Sequence, residues 1–377
     1  MSMIAHDPPH EEASANGMLR VVQRLETTGA RAVEPFSHRG EHYLVVPQLA
    51  ADQAGQPAAI TAGNSDVSLI VYRWAQGQFV EHQRLPVPGG EDAEFFAIGD
   101  RRFLATASLR AGSGPYQMRI QSAVYELRAD RFEPFQAFDT YAAKQWTHFV
   151  IGEQHFLALA QGVALPGKEG ENRRSVIFHW DGERFVPLQE VSSAWGYNWL
   201  HINVAGEHLL AYADHAEPSR LLRWNGRLFE EFQSLDGGSG RAFCAFHSAG
   251  EQWLAFANLH ADTVLYRWNG TRFATHQTLS GPGGREFAWL AGDPSDSAGR
   301  LVQVNFIHGT REAPQPSLRS FIHAWRGDRL EVIDNFATSG GTDASAFTIG
   351  SRRYLAVSNS LSADVHFRAD TLVYEIL

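Results

Sequence analysis

The 377-residue chain is poor in cysteine, in long apolar runs and in basic residues, and each of these shortages argues against a class of structure or partner. Cys244 is the only cysteine, so no disulfide forms within the chain, and we expect a reducing, cytoplasmic setting. No run of about 18 apolar residues is present, which predicts no membrane-spanning segment. Only 32 basic residues stand against 42 acidic ones, and the formal charge of −10 disfavours nucleic acid and anionic membranes as partners.

Linear enzyme signatures are also missing. The sequence contains no Gly-x-Ser-x-Gly, no His-Glu-x-x-His, no P-loop and no dinucleotide fingerprint. This favours a chain that is not an enzyme, although a site assembled from scattered positions leaves no linear motif, so function has to be argued from a site. We predict no cofactor and no metal centre.

The first 17 residues differ from the rest of the chain. They carry acidic, histidine and proline residues and have no apolar core, so they resemble no secretory signal. We predict a disordered tail over 1–17 and a single folded domain over 18–377.

An internal repeat organises that domain. An aromatic residue or leucine is followed four positions later by glutamine, or by aspartate in the last copy, and we call each such pair an anchor. The seven anchors are Leu19/Gln23, Phe79/Gln83, Phe132/Gln136, Phe185/Gln189, Phe229/Gln233, Phe273/Gln277 and Leu330/Asp334. The most closely spaced anchors lie 44 residues apart, which is the length of a four-stranded propeller blade. The repeat therefore predicts seven blades.

Each unit also shows the pattern of four strands. An apolar strand A, such as Trp146 to Phe149, is followed by a glycine turn, a strand B and a strand C that alternates and ends in an aromatic residue. Dipeptides such as Asn269-Gly270 then favour a tight hairpin into strand D. Because the chain begins with an orphan strand D at 19–23 and ends on a strand C, we predict that these two pair and close the ring, which removes exposed sheet edges.

These motifs resemble a known repeat. The anchors, strand B at Tyr354 to Asn359 and the hairpin from Tyr266 to Phe273 are similar to the EAR repeat, also called EPTP, over residues 19–377. The resemblance implies an all-β fold, a single seven-bladed propeller of four-stranded antiparallel blades. It also implies a non-enzymatic module that binds a receptor.

The register predicts which side chains surround the central channel. Eight residues after the glutamine or aspartate of each anchor stand Arg31, Glu91, Lys144, Tyr197, Arg241, Arg285 and Thr342. Arg241 and Arg285 lie in adjacent blades and are candidates to clamp a carboxylate or phosphate, with Lys144 and Tyr197 beside them. The alternative is that the two arginines pair with Glu286 or Asp343 in an inter-blade charge network.

Histidines and aromatic residues provide further candidates. His148 and His201 occupy the same slot of strand A in blades three and four, and are candidate acid or base groups, with His260 near them on the rim. The alternative is that they are hydrogen-bonded core histidines. Trp199, together with Trp195 and Tyr197, is expected to offer a stacking surface for a sugar.

The connections between strands B and C indicate a working face. They are long in blades one, two, three, six and seven and short in blades four and five, so the rim is high on one side. At the end of strand B a second polar set is expected to bind the backbone of this turn. Its members are Gln48, Ser108, Gln161, Asp214, Asn258, Asn305 and Asn359.

Three functions fit these observations. The favoured hypothesis is a monomeric binding propeller that presents its loop-rich face and channel mouth to a protein, a peptide or a small ligand. The second is an enzyme of small-molecule metabolism, in which the arginine pair binds an anion and His148 or His201 acts as acid or base. The third is glycan recognition.

Overall fold

The structure is a computed structural model that describes residues 12–164, 174–235, 237–292 and 299–377. These ranges contain no helix, and their strands form seven four-stranded antiparallel sheets and one two-stranded ribbon. Nor do they contain a helix with the length and apolarity that a membrane span requires. The predicted all-β propeller of seven blades is confirmed.

The first strand belongs to the last blade, and the chain then builds three blades in order, each from strand A to strand D. The strands are β1 (Leu19–Leu25); β2 (Glu34–His38), β3 (Glu41–Val46), β4 (Leu69–Ala75) and β5 (Gln78–Leu85) in blade one; β6 (Gly90–Ile98), β7 (Arg101–Ser108), β8 (Arg119–Arg128) and β9 (Arg131–Tyr141) in blade two; and β10 (Ala143–Ile151), β11 (Gln154–Gln161), β12 (Arg174–Trp180) and β13 (Phe185–Ser192) in blade three.

Blades four to seven follow the same order, and blade six carries the small ribbon in its B-to-C loop. The strands are β14 (Gly196–Val204), β15 (Glu207–Asp214), β16 (Arg220–Trp224) and β17 (Phe229–Ser234); β18 (Gly240–Ser248), β19 (Glu251–Asn258), β20 (Thr263–Trp268) and β21 (Phe273–Ser280); β22 (Gly284–Leu290), β23 (Arg300–Asn305), the ribbon β24 (His308–Gly309) and β25 (Pro314–Gln315), β26 (Ser317–Arg326) and β27 (Arg329–Ser339); and β28 (Gly341–Ile349), β29 (Arg352–Asn359) and β30 (Thr371–Ile376).

The ring is closed as the sequence predicts. Strand β1 pairs antiparallel with β30, so that Leu19 lies opposite Ile376 and Leu25 lies opposite Thr371. The seventh blade therefore takes three strands from the end of the chain and one from its beginning, and the edge of β30 is covered by β1.

The last residues of the predicted tail contact the propeller. Ser14 Oγ donates a hydrogen bond to the Asp334 carboxylate at 2.5 Å, and the backbone N–H groups of Asn16 and Met18 donate to the same carboxylate at 2.7 and 3.0 Å. Residues 12–17 thus lie against strand D of blade six, because its carboxylate binds their polar groups. Residues 1–11 lie outside the described residues.

The repeated glutamine has a direct structural role. Gln136 Nε2 donates to the carbonyl of Phe185 at 2.8 Å, and its Oε1 accepts from the N–H of Phe185 at 3.0 Å. The same two bonds join Gln23 to Phe79, Gln83 to Phe132, Gln189 to Phe229, Gln233 to Phe273 and Gln277 to Leu330. Each glutamine thereby holds strand D of one blade to strand D of the next, an arrangement we call the outer clasp.

The apolar core lies between neighbouring blades. Strand B is apolar and buried along most of its length, as Leu104, Leu157 and Leu210 show with no exposed surface. One apolar cluster joins all four strands of blade two to all four strands of blade three. Because every blade is covered on both faces, strand A is fixed around the axis and its inward side chains line a channel.

Candidate functional site

A β-bulge sets the position of each side chain at the narrow part of the channel. In blades two to seven the pairing of strands A and B shifts by one residue at the same place, for example between Gly196 and Asn198, so that Tyr197 is the extra residue. A bulge redirects the side chain that it carries. The seven predicted positions line one cavity of about 510 Å³, and we call them the channel ring: Arg31, Glu91, Lys144, Tyr197, Arg241, Arg285 and Thr342.

A glycine precedes the ring residue in five blades, and close packing requires it. A Cβ atom on Gly196 would lie 2.1 Å from the hydroxyl of Tyr212, and one on Gly240 would lie 2.4 Å from Ser219 Oγ. The backbone therefore approaches strands B and C more closely than a side chain allows. The repeated glycine before a ring position is a signal of the bulge that the sequence analysis missed.

Glu91 is the acid at the centre of the ring. Its carboxylate lies 3.6 Å from Arg31 Nε, 3.3 Å from Lys144 Nζ and 3.9 Å from Arg285 Nη2. Burial alone would raise the pKa of this carboxyl, but the three cations together lower the pKa to about 2. Glu91 is therefore ionised throughout the neutral range.

Three cationic side chains of the channel ring surround the aromatic ring of Tyr197. The guanidinium of Arg241 lies 3.9 Å from the centre of its ring, and Lys144 and Arg285 each lie at 5.1 Å. Burial opposes ionisation of the phenol, but these cations lower its pKa to about 8. Arg241 also approaches His215 Nδ1 at 2.8 Å.

The two arginines therefore join a charge network whose acid differs from the predicted one. Among the ion pairs of the described residues, Arg285 pairs with Glu91, and its charge also acts on the two predicted partners, because it lowers the pKa values of Glu286 and Asp343 against the effect of burial. Glu91 belongs to blade two and Arg285 to blade six, so the pair spans the channel instead of joining neighbouring blades. The bulges produce this result because they turn both side chains toward the axis.

Next to the ring, carboxylates bind the backbone of the following blade. Asp92 accepts a hydrogen bond from the N–H of Trp146 at 2.8 Å, and Glu94 accepts one from the N–H of His148 at 3.0 Å. Glu34, Asp92, Glu94, Glu286 and Asp343 all line the same cavity, and we call them the carboxylate belt. The belt joins blades inside the channel, as the outer clasp does at the rim.

Burial dominates the chemistry of this belt. It raises the pKa of Glu94 to about 7 and that of Asp343 to about 6, although each carboxyl accepts a backbone hydrogen bond that favours ionisation. Burial likewise raises the pKa values of Glu34, Asp92 and Glu286 well above their ordinary range. Part of the belt is consequently protonated near neutral pH.

His148 and His201 line the same cavity as the channel ring, but each pairs with a different histidine of its own blade. Nε2 of His148 lies 3.1 Å from Nδ1 of His155 on strand B of its own blade, and His201 pairs in the same way with His208. His148 stacks on Phe96 with 4.4 Å between ring centres, and His201 stacks on Phe149 at 4.9 Å. In two other blades the same inter-blade stack joins Phe95 to Phe36 and Trp289 to Phe246.

These contacts agree with the structural alternative for the two histidines. Burial, reinforced by the neighbouring imidazole, lowers the pKa of His148 to about 3 and that of His201 to about 4. Both rings are therefore neutral at physiological pH and fill an inter-blade stack. Within the described ranges, no three His, Cys, Asp or Glu side chains are grouped as a metal site requires.

The predicted sugar-stacking surface is not formed. Trp199 is only 1% exposed and packs on Tyr212, with 4.0 Å between ring centres. The bulge at Tyr197 changes the alternation of strand A, so Trp199 points between blades while Tyr197 points into the channel. Trp195 is half-buried near His215.

Members of the polar set at the end of strand B bind the backbone of the B-to-C loop, as predicted. Gln161 Nε2 donates to the carbonyl of Arg174 at the start of strand C, at 2.9 Å, and its Oε1 accepts from the N–H of Tyr141 at 2.9 Å. Gln48 and Asn359 make equivalent pairs of bonds. Each of these residues ties the B-to-C loop to the D-to-A connection, which is a structural role.

A second cavity lies on the loop-rich face between blades five and six and has a volume of about 660 Å³. The B-to-C loop of blade five spans only residues 259–262, whereas that of blade six carries the ribbon β24–β25. His260, a predicted ligand-binding residue, lines this cavity and not the channel. We call it the inter-blade groove, and its other lining residues include Leu259, Pro282, Ile307, His308, Leu318, Arg319 and Phe321.

Comparison with known proteins gives a family that agrees with this architecture. The model of the EPTP domain matches residues 18–74, 78–127, 131–181, 184–225 and 228–269, which together are more than half of the chain. The chain therefore belongs to the EPTP family. Each match begins with strand D of one blade, or with β1, and continues through strands A, B and C of the next.

Two curated relatives carry the same repeat. The chain is 28% identical over 161 residues, 41% of its length, to the thrombospondin-type laminin G domain and EAR repeat-containing protein of Homo sapiens. It is 27% identical over 261 residues, 53% of its length, to the protein of that name from Mus musculus. These matches span 23% and 37% of the relatives, so the chain is similar to only part of each.

Proposed function

We propose that this chain is a binding propeller that receives a peptide segment of a partner protein in the inter-blade groove. The observation that carries the proposal is the groove itself, a concave surface of about 660 Å³ at the step between a short loop and a long one. Membership of the EPTP family supports an interaction role. We also propose a reducing, cytoplasmic setting, since Cys244 is the single cysteine.

The chemistry of the groove suits a peptide. Leu259, Ile307, Leu318 and Phe321 supply apolar surface for one or two side chains, and the exposed backbone of the rim offers hydrogen bonds. The polar lining side chains include His260, His308 and Arg319, and no carboxylate is among the lining residues. The groove therefore favours a segment that combines an apolar side chain with an acidic one.

The enzyme hypothesis receives less support from the same observations. The candidate acid and base, His148 and His201, are engaged in inter-blade stacks, and their pKa values are far below neutrality. A general acid or base works best with a pKa near the operating pH. Arg241 is buried against Tyr197 and His215, so its guanidinium is already engaged.

A displayed peptide library selected on the purified chain tests the proposal. We expect enriched peptides with an apolar residue next to an acidic one, and we expect Leu318→Glu in the groove to weaken their binding at least tenfold. Val332→Glu is the matched control, because Val332 is 48% exposed on the outer strand of the same blade. Selected peptides that bind Leu318→Glu as tightly as the unmodified chain would show that the groove is not the site.

A further inference from the structure

The channel ring carries more positive charge than its own acid can balance. Arg31, Lys144, Arg241 and Arg285 contribute four cations, whereas Glu91 is the only carboxylate of the ring. Lys144 is 8% exposed and Arg241 is 4% exposed. The carboxylate belt lines the same cavity, but burial raises the pKa of all five of its carboxyls, so the belt offsets these cations only in part. Buried positive charge that is incompletely balanced is costly, and the ring therefore favours an anion.

Two guanidiniums of the ring also have N–H donors that are not used in hydrogen bonds. Arg31 Nε is buried without a hydrogen-bond partner, and its 3.6 Å approach to Glu91 is an ion pair beyond hydrogen-bond distance. Arg285 reaches Glu91 only at 3.9 Å. Since each guanidinium has five N–H donors in a planar fork, both side chains are equipped to bind an oxyanion in two places.

The channel gives a route to the ring from one end. Six residues further along strand A, toward the A-to-B turns, the equivalent side chain is exposed in every blade, namely Ser37, Ala97, Val150, Asn203, His247, Ala291 and Thr348. On the loop-rich side an apolar cluster that includes Leu49, Leu109 and Phe306 packs next to the ring, and Arg31 lies 5.7 Å from the ring centre of Phe306. The A-to-B end is therefore the route by which we expect a ligand to reach the channel ring.

We propose that the channel ring binds one compact oxyanion, a phosphate or carboxylate group, at the N–H groups of Arg31 and Arg285 that Glu91 does not occupy. The carboxyls of the belt line the rest of the channel, and those that are ionised disfavour an extended polyanion. The phenol hydroxyl of Tyr197 and the ammonium of Lys144 supply additional donors. This site is separate from the inter-blade groove, and neither proposal depends on the other.

The ionisation of Tyr197 provides an internal competitor. Lys144, Arg241, Arg285, Glu91 and His215 face this side chain, and the phenol has a pKa of about 8 among them. A phenolate would supply the negative charge that the ring lacks. We therefore expect the affinity for an oxyanion to fall as the pH rises above 8, and a bound oxyanion to raise the pKa of Tyr197.

Calorimetric titration of the full chain at pH 7 and low salt tests the proposal, with inorganic phosphate, sulfate and acetate as three separate probes. We expect one site per chain, with Arg285→Gln weakening binding at least tenfold and Glu91→Gln strengthening it. Arg311→Gln is the control, because Arg311 is an exposed arginine in the B-to-C loop of blade six. Phosphate and sulfate binding without acetate binding would assign a phosphate-type ligand, and the reverse a carboxylate.

The shift of the thermal unfolding midpoint with each anion gives a second readout for any variant that is less stable. A rise of the midpoint with phosphate in the unmodified chain, lost in Arg285→Gln that retains its β-sheet circular dichroism, supports the proposal. No heat and no midpoint shift with any of the three anions would overturn it. So would binding that Arg285→Gln and Arg311→Gln leave equally strong, since the ion would then be adventitious only.

Discussion

Along the outer edge of the propeller, six glutamines join successive blades through the same pair of backbone hydrogen bonds. At the channel, seven equivalent positions carry five different residue types. Six of the seven junctions between blades use this same pair of bonds, and at the remaining one Asp334 binds Ser14, Asn16 and Met18 instead. The channel ring is held in place by its backbone, through the bulge and the glycine, so its side chains are free to differ and to form one site.

Gly240→Ala disturbs the close packing behind the channel ring and should have the largest effect on stability. The new Cβ would lie 2.4 Å from Ser219 Oγ and 3.0 Å from the carbonyl oxygen of Asp214, so we expect a loss of about 3 kcal/mol in the free energy of unfolding. Gly281→Ala is the control, because no atom lies within 4 Å of its added Cβ. Equal urea unfolding midpoints for the two variants would contradict the close packing at the bulge.

Gln83→Ala removes one outer clasp at the edge of the propeller. The substitution removes the bonds to the N–H and carbonyl of Phe132 and leaves both backbone groups buried without a partner. We expect a loss of about 2 kcal/mol, measured by urea unfolding. Gln154→Ala, at an exposed position of strand B in blade three, should cost less than about 0.5 kcal/mol, and a similar loss in both variants would refute the role of the clasp.

Glu94→Gln tests how the carboxylate belt makes the stability of the channel depend on pH. Burial raises the folded-state pKa of Glu94 from 4.5 to about 7, so the folded state holds this proton more tightly than the unfolded state does. Its contribution to stability is therefore present below about pH 4.5 and is lost as the pH rises toward 7, by at most about 1.4 kcal/mol per pH unit. The glutamine keeps the acceptor for His148 and should remove this loss.

The measurement is urea unfolding of both proteins at pH 5 and pH 8. The other members of the carboxylate belt titrate in both proteins, so only the difference between the two pH profiles is informative. We expect Glu94→Gln to gain stability relative to the unmodified chain as the pH rises. A difference that stays constant between these pH values would show that Glu94 is ionised in the folded state at both.

His201→Phe should have the smallest effect. The phenyl ring keeps the stack on Phe149 and loses the contact with His208, so we expect a change below about 1 kcal/mol at pH 8. Because the pKa of His201 falls from 6.5 to about 4 on folding, the unmodified chain loses stability as the pH drops through this range. The variant should be the more stable protein at pH 5, and a larger loss at pH 5 than at pH 8 would contradict this assignment.

Much of the fold could be predicted because the repeat is regular. Each blade places its anchor, its glycine turn and its aromatic end of strand C at nearly constant spacing, and the missing strand at one end matches the extra strand at the other. Ring closure by β1 and β30 followed from this count alone. The positions of the channel ring followed from the same register.

The contacts within the ring could not be predicted from spacing. Glu91 meets Lys144 of the next blade but also Arg285, which lies on the far side of the ring, and only the closed geometry brings them together. The bulge was the second obstacle, because Trp199 was expected to be exposed beside Tyr197 as a stacking surface, whereas it is buried in the core. The contact of residues 12–17 with Asp334 could not be predicted either, because its only trace in the sequence is that the last anchor has aspartate where the other six have glutamine.

The pairing of β1 with β30 also affects how the chain is made. Residues 19–25 leave the ribosome first among the strands, but their partner strand, residues 371–376, is synthesised last. Six blades have all their strands before the seventh can be completed, so strand β1 stays without its partner while the residues between the two strands are synthesised. A truncation that removes only β30 therefore leaves strands at both ends of the chain without their partner.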